Sequence, residues 1–384
     1  MGKPMPANGP IVCVVGARPN YMKMAPLLRA FRSHAELPPA MLVHTGQHYD
    51  PMMNERLFQD LGLPRPELNL GVGSGTHAQQ TAEVMRRFEP VLDEQRPSCV
   101  IVVGDVNSTL ACSLVAVKKG VPVAHVEAGL RSFDRAMPEE INRVLTDQVA
   151  DLLYTTERSA QDNLAREGIP RERIHFVGNV MIDSLLSHKS RAVAPVDTLR
   201  AVERAHWASE AFGVVTLHRP SNVDELRPLS ESLEILRAVS EKLPLVCTLH
   251  PRTMARIETF GLGGTLRSAR LALLPPQGYL EMLGLMAGAT LVLTDSGGMQ
   301  EETTALSVPC LTMRENTERP ITIEQGTNTL VGRERRRILE LVDEILATGG
   351  KRGRTPELWD GRAAERIAIH LAGWLAERAS TAHA

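Results

Sequence analysis

The chain has 384 residues, 43% of them hydrophobic and 23% charged, with a formal net charge of −2. One hydrophobic core stops growing at about 250–300 residues, so two domains are expected. The charge balance gives no basic field for nucleic acid or a membrane surface and points to a small-molecule partner, with local arginine clusters able to hold an anion.

Strand-like apolar runs and helical segments alternate along the chain, the pattern of parallel sheets covered on both faces. IVCVV (11–15) precedes a helix near 20–33, and AMLVHT (40–45) precedes one near 51–61. A helix near 77–95 leads to CVIVV (99–103), a helix near 108–119, VPVAHV (121–126) and a helix from 138. LLYTT (152–156), a helix near 158–167 and IHFVG (174–178) complete the first half. The second half restarts at FGVVTLH (212–218) and continues with LPLVCTLH (243–250), LALLPP (271–276), TLVLTD (290–295), VPCLTM (308–313) and TNTLVG (327–332). Segment 179–210 is helical and polar with a PVD interruption, which places the domain boundary near 178–195. The tail AAERIAIHLAGWLAER (363–378) has apolar residues at helical spacing and can pack on either domain.

Five widely spaced cysteines, Cys13, Cys99, Cys112, Cys247 and Cys310, lie mostly inside strand-like runs and read as buried, reduced thiols of a cytoplasmic protein. The N-terminal MGKPMPANGP lacks an apolar signal core, and no stretch of about 18 apolar residues occurs, so neither secretion nor membrane spanning is expected.

Polar clusters fall at the ends of the predicted strands, where open α/β sheets bind ligands. The densest is HVEAGLRSFDRAMPEEINR (125–143), with carboxylates and arginines around a Gly turn and a Pro. Pro138, Glu139 and Glu140 fit a plain helix start, with Glu139 and Arg143 as an i,i+4 ion pair. That reading does not explain Glu127, which stands where an apolar strand gives way to Ala-Gly. Together with VVGDVNST (102–109), which holds Asp105, the run looks like a catalytic carboxylate cluster. In GARPNYMK, Gly16 permits a tight turn while Arg18 and Lys23 flank a helix start that favours anions. Ser296, Gly297 and Gly298 open another helix as a diphosphate cradle, the alternative being a serine cap with Glu301 and Glu302 in the first turns. His218-Arg219 and His250-Pro251-Arg252 stand at equivalent strand ends and favour an anionic ligand. GVGSGT (71–76) has no preceding strand and reads as a flexible loop. Metal is not expected, no cysteine pair lying close enough for zinc, and no G-x-S-x-G elbow supports a serine hydrolase.

In order, GARPNYMKMAPL, TGQHYD, GDVNSTLA, HVEAGLR, MPEEINR, GNVMID, LHRPSN, DSGGMQEE and RENTERP resemble the motifs of bacterial non-hydrolysing UDP-N-acetylglucosamine 2-epimerases over nearly the whole chain. The resemblance implies an α/β, GT-B-like fold of two doubly wound Rossmann-like domains with an interdomain cleft. Residues 1–180, joined by a C-terminal helix at about 363–384, would carry the sugar site, and residues 181–362 would bind UDP. It implies a homodimer that interconverts UDP-GlcNAc and UDP-ManNAc for polysaccharide supply, with neither metal nor nicotinamide cofactor. UDP and the C2 proton would leave to give a 2-acetamidoglucal, and UDP would add back after reprotonation from the other face. Asp105, Glu127 and Glu139 would form the acidic set, with His218 as an acid or charge partner. Arg18, Lys23, Gln47, His48 and Arg143 would serve the first domain. Arg219, His250, Gln277, Ser296, Gly297, Gly298, Glu302, Arg314 and Arg319 would bind substrate from the second, with Glu302 on the ribose.

Two departures bear on regulation and substrate. Many family members are activated by a second UDP-GlcNAc through an Arg-Gln element in the region that here reads GVGSGTHAQQTAEVM; the pair is absent, although Gln47 and His48 remain, so weak or missing activation is expected. GARPN and LHRPSN replace the commoner GTRPE and GHRRE and leave room for a modified sugar of the diacetamido uronic acid type. A hydrolysing 2-epimerase, a GT-B glycosyltransferase and a non-catalytic UDP-sugar sensor are the remaining alternatives.

Overall fold

A computed structural model describes residues 9–47, 51–266 and 270–382. The chain forms two compact units, Met1–Ser187 with Glu357–Ala384, and His188–Pro356. In the first, β1 (Ile11–Val15), β2 (Ala40–His44), β3 (Leu68–Asn69), β4 (Cys99–Val103), β5 (Val123–Ala128), β6 (Leu152–Thr155) and β7 (Ile174–Phe176) make one sheet. Its order is β3-β2-β1-β4-β5-β6-β7 and every pair is parallel. All residues of β1 and β4 are buried, which is why their sequences are unbroken apolar runs. The edge strand β3 has no counterpart in the sequence reading, because two residues carry no period.

The second unit repeats the plan with β8 (Gly213–Thr216), β9 (Leu245–Thr248), β10 (Leu271–Leu274), β11 (Leu291–Thr294), β12 (Cys310–Thr312) and β13 (Asn328–Leu330). The order is β10-β9-β8-β11-β12-β13, again parallel. The two faces of this sheet have separate cores: Val215, Leu245, Cys247, Leu291 and Leu293 face one, while Val214, Val246 and Val292 face the other.

Strand order reverses between β1 and β4 in the first unit and between β8 and β11 in the second. Such switch points open a crevice beyond the strands' carboxyl ends, and ligands bind there in sheets of this kind.

The terminal helix Ala363–Ala382 packs on the helix Arg18–Ser33. Its start is capped by a distant side chain: the Asp183 carboxylate accepts the Ala363 N–H at 3.2 Å and the Ala364 N–H at 2.7 Å. Gly178, at φ +89°, lies so close to this returning segment that a Cβ there would sit 2.1 Å from the Leu358 carbonyl. All five cysteines are buried and unpaired, and burial pushes the Cys247 thiol up to about 12. Among the described residues no helix is long and apolar enough to cross a membrane.

Asp183→Ala leaves two helix-start N–H groups without their acceptor and is expected to cost about 1–3 kcal/mol. Urea unfolding measures the loss, and proteolysis ahead of residue 363 should accelerate with it.

Candidate functional site

At the first switch point the turn after β1 is fixed by Asn20, whose Oδ1 accepts the N–H groups of Gly16 and Ala17, each at 3.0 Å. Its amide donates to the Val103 carbonyl at 3.0 Å, tying the ends of β1 and β4 together. One turn along the same helix, Lys23 pairs with Glu127 at the end of β5, both nearly sealed from water. Glu127 has a left-handed backbone, φ +73°, at a register shift between Val126 and Ala128. A bulge of this kind re-aims a side chain at a sheet's rim, and left-handed backbone in a non-glycine residue costs about 1–3 kcal/mol. Gly104, φ +67°, gives the pair its room: a Cβ there would stand 2.9 Å from Lys23 Nζ.

Asp105 pairs with Arg143, and Arg143 also reaches Glu140 Oε2 through Nη2 at 2.7 Å and Nε at 3.1 Å. Arg143 thus bonds Asp105 and Glu140, which corrects the sequence-based Glu139–Arg143 pair. Glu140 is committed by its surroundings: it accepts the Ser132 N–H, the Ser132 hydroxyl and the Phe133 N–H at 2.9, 3.0 and 2.9 Å. Burial alone would raise its pKa, but these donors and Arg143 hold it below the usual carboxylate value. Glu139, beside it in the first turn of the helix Pro138–Val149, is half-buried. Arg18 opens the helix after β1 and is half-buried as well.

Gln47 lies inside a buried polar network. Its Oε1 accepts the Ser108 N–H at 3.0 Å and hydroxyl at 2.7 Å, while Gln80 donates to its carbonyl at 3.2 Å. Asn107 donates to Gln80 at 2.8 Å, and Asn142 donates to both Asn107 Oδ1 at 3.2 Å and the Asp105 carbonyl at 2.9 Å. The helix that follows GVGSGT is thereby linked to Asp105. His48 lies outside the described residues.

Behind these groups stands a scaffold missed in the sequence. His125, sealed in β5, meets Asp147 Oδ1 at 2.6 Å and the Gly104 carbonyl at 2.8 Å. Asp147 also pairs with Arg131 at 2.7 Å and accepts the Gly129 N–H at 3.0 Å. Burial would raise the Asp147 pKa, yet His125 and Arg131 hold it below the ordinary value.

In the second unit Asp295 follows β11 and is fully buried. It accepts the N–H groups of His218 and Arg219 at 3.0 and 2.9 Å and the Asn222 amide at 3.1 Å. His218 Nδ1 lies 3.0 Å from its Oδ1. The strand-end rule that marked Glu127 also marks Asp295, the last residue of TLVLTD.

Ser296 precedes the helix Gly297–Leu306, but its side chain makes no capping bond. This removes the plain serine-cap alternative and leaves the hydroxyl at an uncapped, positive helix end. Glu301 and Glu302 are both buried rather than placed on a solvated first turn. Glu301 pairs with Arg319 Nε at 3.1 Å, and Arg319 also pairs with Glu318. Glu318 further receives Arg314 Nη2 at 2.7 Å and lies 3.6 Å from Arg219 Nη2. Three of the predicted arginines therefore gather on one carboxylate. Arg219 Nε and Arg314 Nη1 are buried without a hydrogen-bond partner, which suits an incoming anion. Gly297 lets this cluster approach, a Cβ there falling 2.5 Å from Arg319 Nη1.

Burial pushes Glu302 up to about 8, with the negative charge of Glu301 adding to it and the Tyr279 hydroxyl opposing it. His250 caps the helix Pro251–Thr259 by accepting the Arg252 N–H at 3.2 Å. Gln277 donates to the Pro275 carbonyl at 2.6 Å beyond β10. Among the described residues no cluster of three or more His, Cys, Asp or Glu is arranged to hold a metal ion.

Paired acids at one switch point, with a glycine turn and an arginine cluster at another, define a two-unit Rossmann-like enzyme equipped for an anionic, nucleotide-like ligand. A family model described as UDP-N-acetylglucosamine 2-epimerase matches residues 30–372. The UDP-N-acetylglucosamine 2-epimerase of Methanocaldococcus jannaschii is 41% identical over 358 residues, covering 92% of this chain and 96% of that protein. The UDP-2,3-diacetamido-2,3-dideoxy-D-glucuronate 2-epimerase of Pseudomonas aeruginosa is 41% identical over 370 residues, covering 94% and 99%. The crystal structure of the M. jannaschii enzyme in complex with UDP-GlcNAc and UDP superposes with a TM-score of 0.85 at 40% identity, covering 94% of this chain and 99% of that one. The chain belongs to the UDP-N-acetylglucosamine 2-epimerase family, and its fold is α/β and GT-B-like. It is an epimerase, hence an isomerase.

Removing Lys23 takes its ammonium partner from the buried Glu127, so Lys23→Met is expected to cost about 3–5 kcal/mol, and adding Glu127→Gln to recover most of it. Urea denaturation of the two variants checks both values.

Because Glu302 is raised, its contribution to stability is intact below the ordinary carboxylate pKa of 4.5 and is lost as pH rises through about 8. Glu302→Gln lacks that loss and should gain about 2 kcal/mol on the unliganded wild type between pH 6 and pH 8. Denaturation midpoints at the two pH values decide it.

Proposed function

We propose that this enzyme interconverts UDP-GlcNAc and UDP-ManNAc by eliminating and re-adding UDP through 2-acetamidoglucal. The carrying observation is the acid set at the first switch point, where Glu127 is held on a left-handed bulge by Lys23 and Asp105 is held by Arg143. A group that only binds sugar has no need of such fixed carboxylates; a proton moved on and off C2 does. Asp105, Glu127 and Glu139 serve the two faces of the ring. His218 and the uncapped turn at Ser296, Gly297 and Gly298 serve the diphosphate with Arg219, Arg314 and Arg319 behind them, and Glu302 takes the ribose. The chemistry is complete without metal or nicotinamide.

A second reading concerns the sugar. The P. aeruginosa relative, named for a diacetamido glucuronate, is as similar to this chain as the M. jannaschii enzyme. Both UDP-sugars belong in the same assay, and the larger kcat/KM names the substrate. The reading also expects a homodimer in the cytoplasm that supplies precursors of surface polysaccharide. A monomer in analytical ultracentrifugation would remove the dimer from it.

Incubation with UDP-GlcNAc in deuterated water should give both epimers with deuterium at C2; absence of both from either UDP-sugar overturns the epimerase reading. Glu139→Gln and Asp105→Asn should lower kcat by about 10²–10⁴-fold while UDP still binds. The absence of the Arg-Gln pair from GVGSGTHAQQTAEVM supports weak or absent activation. UDP-ManNAc alone should turn over without a lag, and a requirement for trace UDP-GlcNAc would refute this.

A further inference from the structure

Asp295 is a fully buried carboxylate that the acid set and the anion turn leave without a part in the chemistry. Asp295 gathers four donors from the loop after β8, and three of them are ordinary scaffolding: two backbone N–H groups and the Asn222 amide. The fourth differs, because His218 Nδ1 lies 3.0 Å from Asp295 Oδ1 while the rest of the imidazole stays 41% exposed. The hydrogen bond made by one ring nitrogen decides which tautomer the other presents.

We infer that Asp295 is a positioning residue for the epimerisation: it accepts the Nδ1–H of His218 and so leaves Nε2 as the nitrogen turned to the substrate. The inference rests on the assignment of His218 to the reacting set. Burial by itself would raise Asp295, yet His218, the Arg219 N–H and the Asn222 amide hold it below the ordinary value, so it stays ionised across the physiological range. The other charges close to this pair are Arg219, which faces Glu318 at 3.6 Å, and Arg333, which reaches Asn222 Oδ1 at 3.1 Å. Asp295 immediately precedes Ser296, so one residue sets both the imidazole and the entry to the anion turn.

The test uses the full chain labelled with ¹⁵N-histidine, with His218 assigned by its loss in His218→Gln. Neutral His218 should be the Nδ1–H tautomer, and in Asp295→Asn that single-tautomer preference should be lost. Asp295→Asn should lower kcat by about 10²-fold with KM and UDP binding changed less than about threefold. The double variant with His218→Gln should be no slower than His218→Gln alone. An Nε2–H tautomer in the wild type overturns the inference, as do additive losses. The tautomer is readable without turnover and in the wild type alone, so it survives a failure of Asp295→Asn to fold. Lack of epimerisation of any UDP-sugar would sink the functional reading without altering it.

Discussion

A lysine and a glutamate shut away from water at the rim of the first sheet constrain everything around them. Lys23 lies one turn into the helix after β1, and Glu127 stands at the end of β5, so their pairing locks two non-adjacent strand ends together across β4. The intervening Gly104 has to lack a side chain, and Glu127 has to hold a backbone that L-residues avoid. Neither charge has an inexpensive alternative, since a buried ion that loses its partner is left in a medium that solvates it poorly. The pair therefore fixes a geometry more than it adds stability. Asp105, on the residue after Gly104, inherits that geometry and is steadied again by Arg143.

The second sheet solves the same problem with different chemistry. Its switch point is closed by Asp295, which draws the loop after β8 onto the end of β11 through uncharged donors and one imidazole. Where the first unit opposes charge to charge, the second spreads one charge over several N–H groups. That choice leaves the arginines beyond the glycine turn to gather on Glu318. In both units the functional groups follow from strand order, with carboxylates at the reversal and glycines beside them giving clearance.

The alternation of strands and helices was legible in the sequence because central parallel strands are buried on both faces and must be apolar throughout, as β1 and β4 are. The place of Glu127 was legible for the same reason, as the first charge after such a run. Partner choice was not. Glu139 and Arg143 have the spacing of a helix-surface pair, yet Arg143 turns to Glu140 and Asp105, because Glu140 is already seated by N–H groups of the loop 132–133. Spacing along a helix cannot report a loop folding over it. Arg314 and Arg319 read as ligands for an anion; Arg314 pairs with Glu318 four residues on, but the engagement of Arg319 with Glu301 depends on a crossing of segments that local pattern does not encode.

Glu302 has a consequence in calorimetric terms. Its carboxyl is buried beside Glu301 and keeps its proton up to about pH 8. If, as proposed, a ribose diol donates to it, the carboxylate is the better acceptor, and nucleotide binding at neutral pH would release a proton to the solvent. The heat of binding would then contain the ionisation heat of whatever buffer receives that proton. Phosphate and Tris would give different apparent enthalpies for one and the same complex, and the slope between them would count the protons expelled.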